Sequence, residues 1–396
     1  MNRISEFLKK EANRHSIHYY LVFVYLGLSL SVYGPTLPNL AGQTGSRLGQ
    51  MGAIFLVGSA GFVLGNLLGA RLFDRLKGHM VIGGALLVSA ALTLLLPIVP
   101  AFWLLMALIL VKGIGEGLFI TGGNLMLVWT HGEEVGPFLI GLHFSSGLGG
   151  FLAPFMIGGL ILFPNGYQWA YWIVGVYGLL VGLKILLLPH SPSPLRSESG
   201  QAGDARSAAI SPLVLVAAFY LFFYVGTERT FSSWLYTVVT TLKIFGPQGA
   251  AYLTSGFWFF FTFGRLMSIP LAARFRPQQV LPVALTGCVA SMCLAMLLPP
   301  SSLLLWLLTI VFGLCMAPLW PMGFTLAGQS IKLTARLSTI IMLGDNFGGM
   351  LLPWAVGQVI DLTGPQMVFS IVFGGVALMF ATYGLMVTLN RRGPLA

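Results

Sequence analysis

An all-α integral membrane fold, with twelve transmembrane helices in two six-helix pseudo-repeats, is the class this sequence predicts, and three observations predict it. Of the 396 residues, 56% are hydrophobic and only 8% charged, where an ordinary soluble domain carries about 25% charged residues. Water is therefore not the solvent for most of the surface, and the mean hydropathy of +0.87 agrees. At roughly 20 residues per crossing, the apolar runs leave room for about twelve helices joined by short loops. Finally, one offset relates the two halves: Gly149, Gly150 and Pro154 recur 199 residues later as Gly348, Gly349 and Pro353. The same shift takes Gly65 to Gly264, Tyr25 to Tyr224 and Gly27 to Gly226, while Gly113 meets Gly313 at 200. An offset that holds across four helix pairs marks an internal repeat.

The net charge of +10 might suggest a nucleic-acid partner, but its distribution argues for membrane orientation instead. Arg3, Lys9, Lys10, Arg14, Arg71, Arg75, Lys77, Arg196, Arg206, Arg274, Arg276, Lys332, Arg336, Arg391 and Arg392 fall in alternate loops or termini, and the intervening loops keep only Arg47 and Lys243. Lysine and arginine are retained on the cytoplasmic side, so both termini are expected inside and the number of crossings even. The expected location is the plasma membrane, or the inner membrane of a bacterium, with membrane lipids as the surroundings and no nucleic acid.

Residues 1–16 read as a charged, weakly amphipathic cytoplasmic segment with a short helix and no removable signal peptide. The first crossing, about Ile17 to Leu37, ends in YGPTLPNL, where Pro35 and Pro38 should break or kink its outer end. The second, about Leu48 to Leu72, carries Gly52, Gly58, Gly61, Gly65 and Gly69 as a close-packing seam. After the basic loop RLFDRLKG come a third crossing near Val81 to Leu96, a fourth over Ala101 to Val128, and a fifth holding GLHFSSGLGGFLAPF. A sixth, about Trp169 to Leu188, closes an N-terminal bundle of residues 17–189. Residues 190–211, rich in Ser, Pro and Gly, read as a cytoplasmic linker. The C-terminal bundle then occupies 212–390, and 391–396 form a cytoplasmic tail. Cys288, Cys293 and Cys315 lie in apolar stretches without metal spacing and read as small core residues.

The chemistry is concentrated in the few charges that interrupt these apolar runs. Lys112 and Glu116 are spaced i, i+4 and share one helix face in the fourth crossing. A charge at the bilayer centre costs roughly 2.5–3.5 kcal/mol on insertion scales, so this face should turn inward and line a path or pocket. Two roles stand open for Glu116: a coupling carboxylate, or a structural ion pair with Lys112. Glu228, in the seventh crossing, is expected to accept a substrate hydroxyl or hold an ion. Arg265 in the eighth and Asp345 in the eleventh suit a bridge closing the cytoplasmic side, joined there by Asp74 and Arg75. His143, Asn124 and Asn346 offer donors and acceptors for hydroxyls, against alternative readings as packing or interhelical contacts. Trp234 and Trp258 are candidates to floor a sugar ring, against ordinary lipid-facing packing.

Two repeated bundles joined by a cytoplasmic linker, with binding at the midplane between them, is an architecture of secondary transporters. At this point the motifs carry a resemblance. TGGN (Thr121 to Asn124), LHFSSGLGGFLAPF (Leu142 to Phe155), GTERTFSSW (Gly226 to Trp234) and FGRLMSIPLAARFRP (Phe263 to Pro277) resemble the fourth, fifth, seventh and eighth helices of the fucose permease and sodium-dependent glucose transporter branch of the major facilitator superfamily. The resemblance implies the major facilitator fold and sugar uptake coupled to H+ or Na+. In that branch an acidic residue directly precedes the fourth-helix Thr. Here that position is Ile120, with Glu116 one turn earlier on nearly the same face.

The expectation is therefore a cation-coupled sugar importer working by alternating access as a monomer, with no cofactor beyond H+ or Na+ and no metal site. The alternatives are export of an amphipathic or lipophilic compound, motivated by the Phe-rich eighth crossing, and a non-transporting sensor or scaffold. An intramembrane enzyme built on His143, Ser145 and Ser146 lacks a carboxylate to orient the histidine at any recognisable spacing, so the chain is read as no enzyme.

Overall fold

A computed structural model describes residues 11–189, 191–192, 211–329 and 335–391. Residues 1–10 of the expected N-terminal segment, most of the linker, and Arg3, Lys9, Lys10, Arg196, Arg206, Lys332 and Arg392 lie outside the described residues. Among those described, every regular element is helical. They fall into two compact units, one before and one after the linker in the chain, with Leu48–Leu56 grouped in the second.

In the first unit, α1 (Glu11–Ser31) continues into α2 (Tyr33–Gln43) through a 50° bend. The bend falls one turn before Pro35, whose ring clashes with the carbonyl four residues back at Ser31. The helices α3 (Ala53–Arg75) and α4 (Gly78–Leu95) follow. Next, α5 (Phe102–His131) and α6 (Gly136–Leu160) form one apolar stretch of 59 residues. Laid straight, it would run about 88 Å, far beyond the roughly 30 Å of a bilayer core, so it holds two crossings. The chain turns between them at Gly132, whose φ of 56° only glycine adopts readily. The unit ends with α7 (Gly166–Leu186).

The second unit contains α8 (Pro212–Thr241), α9 (Pro247–Arg274) and α10 (Pro277–Leu297), each opening on a proline, whose fixed φ suits the first helical turn and whose missing N–H would find no partner there. A broken crossing follows as α11 (Ser302–Met316) and α12 (Leu319–Gly328), interrupted where Pro318 and Pro321 interfere with the helical ladder. The helices α13 (Ala335–Thr363) and α14 (Met367–Arg391) complete it.

The repeat seen in the sequence is a repeat of helix contacts. In the first unit α1 packs on α6 and α4 on α7; in the second α8 packs on α13 and α10 on α14. Glycines set these crossings. A Cβ at Gly27 would lie 2.7 Å from Gly150 N, and its counterpart at Gly226 3.0 Å from Gly348 O. Likewise, a Cβ at Gly113 would meet Phe62 N at 3.2 Å, and one at Gly313 would meet Phe261 N at the same distance. Two helices without side chains at the crossing approach until their backbones touch, which is how membrane helices gain dispersion energy where no hydrophobic effect separates them from lipid.

One boundary differs from expectation: the start of the second crossing groups with the C-terminal unit, although residues 17–189 were assigned to the N-terminal bundle. Gly49 N donates to both carboxylate oxygens of Asp361, at 3.1 and 3.2 Å, and a Cβ at Gly52 would stand 3.0 Å from Gly357 Cα. Three glycines thus let the turn Leu48–Gly52 seat directly on α13.

Candidate functional site

Each unit buries a cluster of polar side chains, and the two clusters differ in kind. In the first, Lys112 and Glu116 stand on one face of α5 and form an ion pair at 2.5 Å, with relative exposures of 1% and 3%. Ser29 on α1 donates to the same carboxylate oxygen at 2.6 Å. The Lys112 ammonium lies 4.9 Å from the Tyr33 ring centroid, and Ser89 on α4 donates to the Lys112 carbonyl at 3.1 Å. Two opposite charges buried together neutralise one another, and the added hydrogen bonds offset part of the desolvation they both suffer. The glutamate's charge is spent inside its own unit.

The second cluster is assembled from four helices. Tyr224 and Glu228, one turn apart on α8, are both buried. Arg265 on α9 lies within electrostatic range of Tyr224, Glu228 and Asp345, with its guanidinium carbon 4.4 Å from the Phe261 ring centroid. Asp345 on α13 accepts a hydrogen bond from the Trp320 indole of α12 at 2.9 Å and also feels Arg229. The expected Arg265–Asp345 bridge does not close among the described residues; Asp345 accepts from Trp320 through Oδ2 instead. One buried atom of this cluster, Asp345 Oδ1, has no hydrogen-bond partner among the described residues, while the Tyr224 hydroxyl lies beside the Arg265 guanidinium. A buried polar group in that position costs about 1–3 kcal/mol unless a ligand or water supplies the bond.

The remaining expected residues are dispersed. Asn124 returns its amide to the Ile120 carbonyl at 2.8 Å, and Asn346 does the same to Met342 at 3.2 Å. His143, read from the sequence as buried at helix depth, is exposed, with its ring T-shaped to Phe23 at 6.0 Å between centroids. Trp234 is fully buried and Trp258 half-buried against Phe257 and Phe261. Asp74 and Arg75 are exposed at the end of α3.

Sequence reasoning missed Ser29, Tyr224 as a site residue, and Trp320 as the donor to Asp345. The i, i+4 spacing of Tyr224 and Glu228 was a usable signal. Trp320 and Asp345 lie far apart in the chain with no pattern to join them. It also missed a histidine group at one end of the first unit, where Tyr19 and His79 hydrogen-bond at 2.8 Å, His15 stands edge-on to His79, and Ser16 bonds His131 at 2.7 Å.

Comparison with known proteins places these clusters in context. The family model of the Major Facilitator Superfamily matches residues 19–353. The chain is 31% identical over 357 residues to sodium-dependent glucose transporter 1 of Xenopus laevis, covering 83% of this chain and 72% of that protein. It is 26% identical over 370 residues to the Homo sapiens protein of the same name, covering 85% and 71%. Among solved structures, a bacterial homologue of the human lysosomal transporter Spinster superposes with a TM-score of 0.78 at 13% identity, covering 97% of each chain. A D-xylose-proton symporter does so with 0.76 at 13%, covering 93% of this chain and 96% of that one.

Proposed function

Because the chain belongs to the major facilitator superfamily, we propose that it imports a sugar together with a cation, by alternating access. That it is a multi-pass membrane transporter and not an enzyme follows from the family; the sugar and the cation are our reading. The observation that carries it is the similarity to sodium-dependent glucose transporter 1, sustained over 83% of this chain.

Chemistry within the units supports the reading. Hydroxyl-rich substrates need donors and acceptors: Glu228 and the amide oxygens of Asn124 and Asn346 supply acceptors, and Trp258 an indole N–H and an apolar ring face. Export of a lipophile draws less support. Of the aromatics in the Phe-rich α9 that suggested it, Phe257 and Phe261 are buried, whereas Phe259 and Phe263 are exposed and stack on one another. At 100° per residue this exposed pair lies on the opposite face of α9 from Arg265 and Phe261, away from the polar cluster. We place the protein in the plasma membrane as a monomer, with both termini cytoplasmic.

Uptake by purified protein in sealed vesicles tests this directly. The expected result is saturable accumulation of one hexose or pentose, driven by an imposed cation gradient and competed unequally by its epimers. Efflux of lipophilic dyes with no sugar uptake under any gradient overturns it.

A further inference from the structure

The repeat allows each unit to serve as a control for the other. Four of the chain's six histidines gather at the end of the first unit that carries the start of α1 and the start of the linker: His15 and His18 on α1, His79 on α4 and His131 on α5. The offset of 199 takes Lys77, Gly78, His79 and Ser191 to Arg276, Pro277, Gln278 and Asn390, and the offset of 200 takes Met126 to Leu326. Each unit closes this end with polar contacts among the corresponding residues. In the first, the His79 N–H at the start of α4 donates to the Ser191 hydroxyl at 3.2 Å, and that hydroxyl lies 3.9 Å from Met126 Sδ. In the second, Gln278 Nε2 donates to Gln329 Oε1 at 2.6 Å, and Asn390 Nδ2 donates to the Leu326 carbonyl at 2.9 Å. These are amides, which neither gain nor lose a proton near neutrality. His15 and His18 fall on Val214 and Ala217 at 199, and His131 on Ile331 at 200. Helix packing therefore demands no imidazole at this end, yet the first unit has collected four.

The buried Tyr19 hydroxyl bonds His79 Nε2 at 2.8 Å, and His79 Nδ1 is buried beside the Leu188 carbonyl, just past the end of α7. A carbonyl only accepts, so the neutral ring carries its hydrogen on Nδ1 and takes the Tyr19 O–H at Nε2. In that form His79 ties three pieces of chain to α4: α1 through Tyr19, the end of α7 through Leu188, and the start of the linker through Ser191. The titratable groups facing His79 are His15, edge-on with 5.4 Å between ring centroids, and His18, both from α1. From α5 comes His131, bonded to Ser16 and within electrostatic range of Glu134. Arg14, Asp74, Arg75, Lys77 and Lys184 are exposed, and no carboxylate among the described residues acts on His79 itself.

Resting on the transport reading and membrane orientation above, though on no particular substrate, we propose that this junction is an acid-released latch on the cytoplasmic side. Neutral imidazoles fasten the start of α1 and of the linker to α4, and protonation in an acidified cytosol undoes the fastening. A proton added to Nε2 puts an N–H where the Tyr19 O–H needs an acceptor, and a charge on His79 repels one on His15 or His18 at this range. Histidine suits the task because its ordinary pKa, about 6.5, lies close to cytosolic pH. Alternating access moves a bundle as one body. A bundle whose first helix and linker have come loose transmits less of that motion, so release slows transport.

Hydrogen exchange of the purified full chain tests the latch without any sugar. Once rates are corrected for the intrinsic pH dependence of exchange, acidification from pH about 7.5 to about 6 should lower protection of the position-79 amide and the first turns of α1 by about tenfold. The amide of Gln278, the counterpart in the second unit, should keep its protection. His79→Gln copies that counterpart and should remove the response. In reconstituted protein with no ion gradient, exchange of labelled glucose or xylose should slow severalfold over the same range, and not in His79→Gln. Protection that is unchanged in acid, or lost equally at Gln278 or in His79→Gln, overturns the latch and leaves the sugar reading standing. If His79→Gln does not fold, a loss undiminished in His15→Gln, which removes the facing imidazole, overturns it. Protection lost in acid while sugar exchange keeps its rate overturns the control of transport. An acid-released junction in a protein that exchanges neither sugar keeps the latch and counts against the sugar reading alone.

Discussion

Trp234 donates its indole N–H to the carbonyl of Pro353, 3.0 Å away, across the contact between α8 and α13. The indole is fully buried, and its ring stands 6.2 Å from that of Phe55 between centroids. The geometry makes it a strut at a proline inside a helix, where the sequence had suggested the floor of a sugar site. Trp234→Phe should lose one hydrogen bond and part of a ring, costing about 1–3 kcal/mol and lowering the thermal unfolding midpoint in detergent. Selectivity among sugar epimers should not change. An altered epimer preference at undiminished stability would show that the indole touches substrate after all.

The Lys112–Glu116 pair calls for a double-mutant cycle. Lys112→Met alone strands a carboxylate that, among the described residues, keeps its hydrogen bond from Ser29, and breaking a buried pair in this way costs about 3–5 kcal/mol. Replacing both residues with methionine removes the stranded charge, and the second unit already carries Phe312 and Met316 at these places. Most of the lost stability should therefore return in the double variant. Unfolding midpoints of the four proteins decide the matter, and a double variant as unstable as the single one would contradict a self-contained structural pair.

Much of the fold was legible because lipid imposes one simple rule: backbone polar groups must bond within their own helix, so long apolar runs read directly as crossings. The repeat was legible too, since Gly27 and Gly226, or Gly113 and Gly313, do the same steric work and leave the same mark. The site was not. The Lys112–Glu116 spacing could be read, but not that Ser29, 87 positions away in the chain, donates to the same carboxylate oxygen, and whether Asp345 meets Arg265 or Trp320 depends on side-chain reach across three helices. His143 shows the same limit from the other side, because one polar residue in an apolar run carries no record of which way its helix face turns.

Asp361 anchors the turn Leu48–Gly52 through the Gly49 amide, and this contact should be readable by hydrogen exchange. Asp361→Ala removes the acceptor of a part-buried, charge-assisted bond worth about 1.5–3 kcal/mol net. The amide of Gly49 should then exchange about ten- to a hundredfold faster, with the amides of α10 unaffected. Unchanged protection at Gly49 would mean that the glycine contacts with Gly357 hold the turn by themselves.

Glycine-to-alanine substitutions should split by sign according to what the new methyl group meets. In a helix interior, alanine is favoured over glycine by about 0.5–1 kcal/mol because it has less backbone freedom to lose. At Gly384 no heavy atom lies within 4 Å of the Cβ position, so Gly384→Ala should stabilise by that amount or be neutral. At Gly149 the Cβ would stand 2.7 Å from Leu28 N and 3.0 Å from Gly27 Cα, and backbone atoms do not yield as side chains do. Gly149→Ala should therefore force α1 and α6 apart and destabilise by about 1–3 kcal/mol. Because the repeat carries the same crossing to Gly348, where the Cβ would lie 2.8 Å from Phe222 Cα, Gly348→Ala should behave alike. Thermal unfolding of the three variants in one detergent tests the set. Equal effects at Gly149 and Gly384 would mean that composition, and not the close crossing of helices, accounts for the glycines.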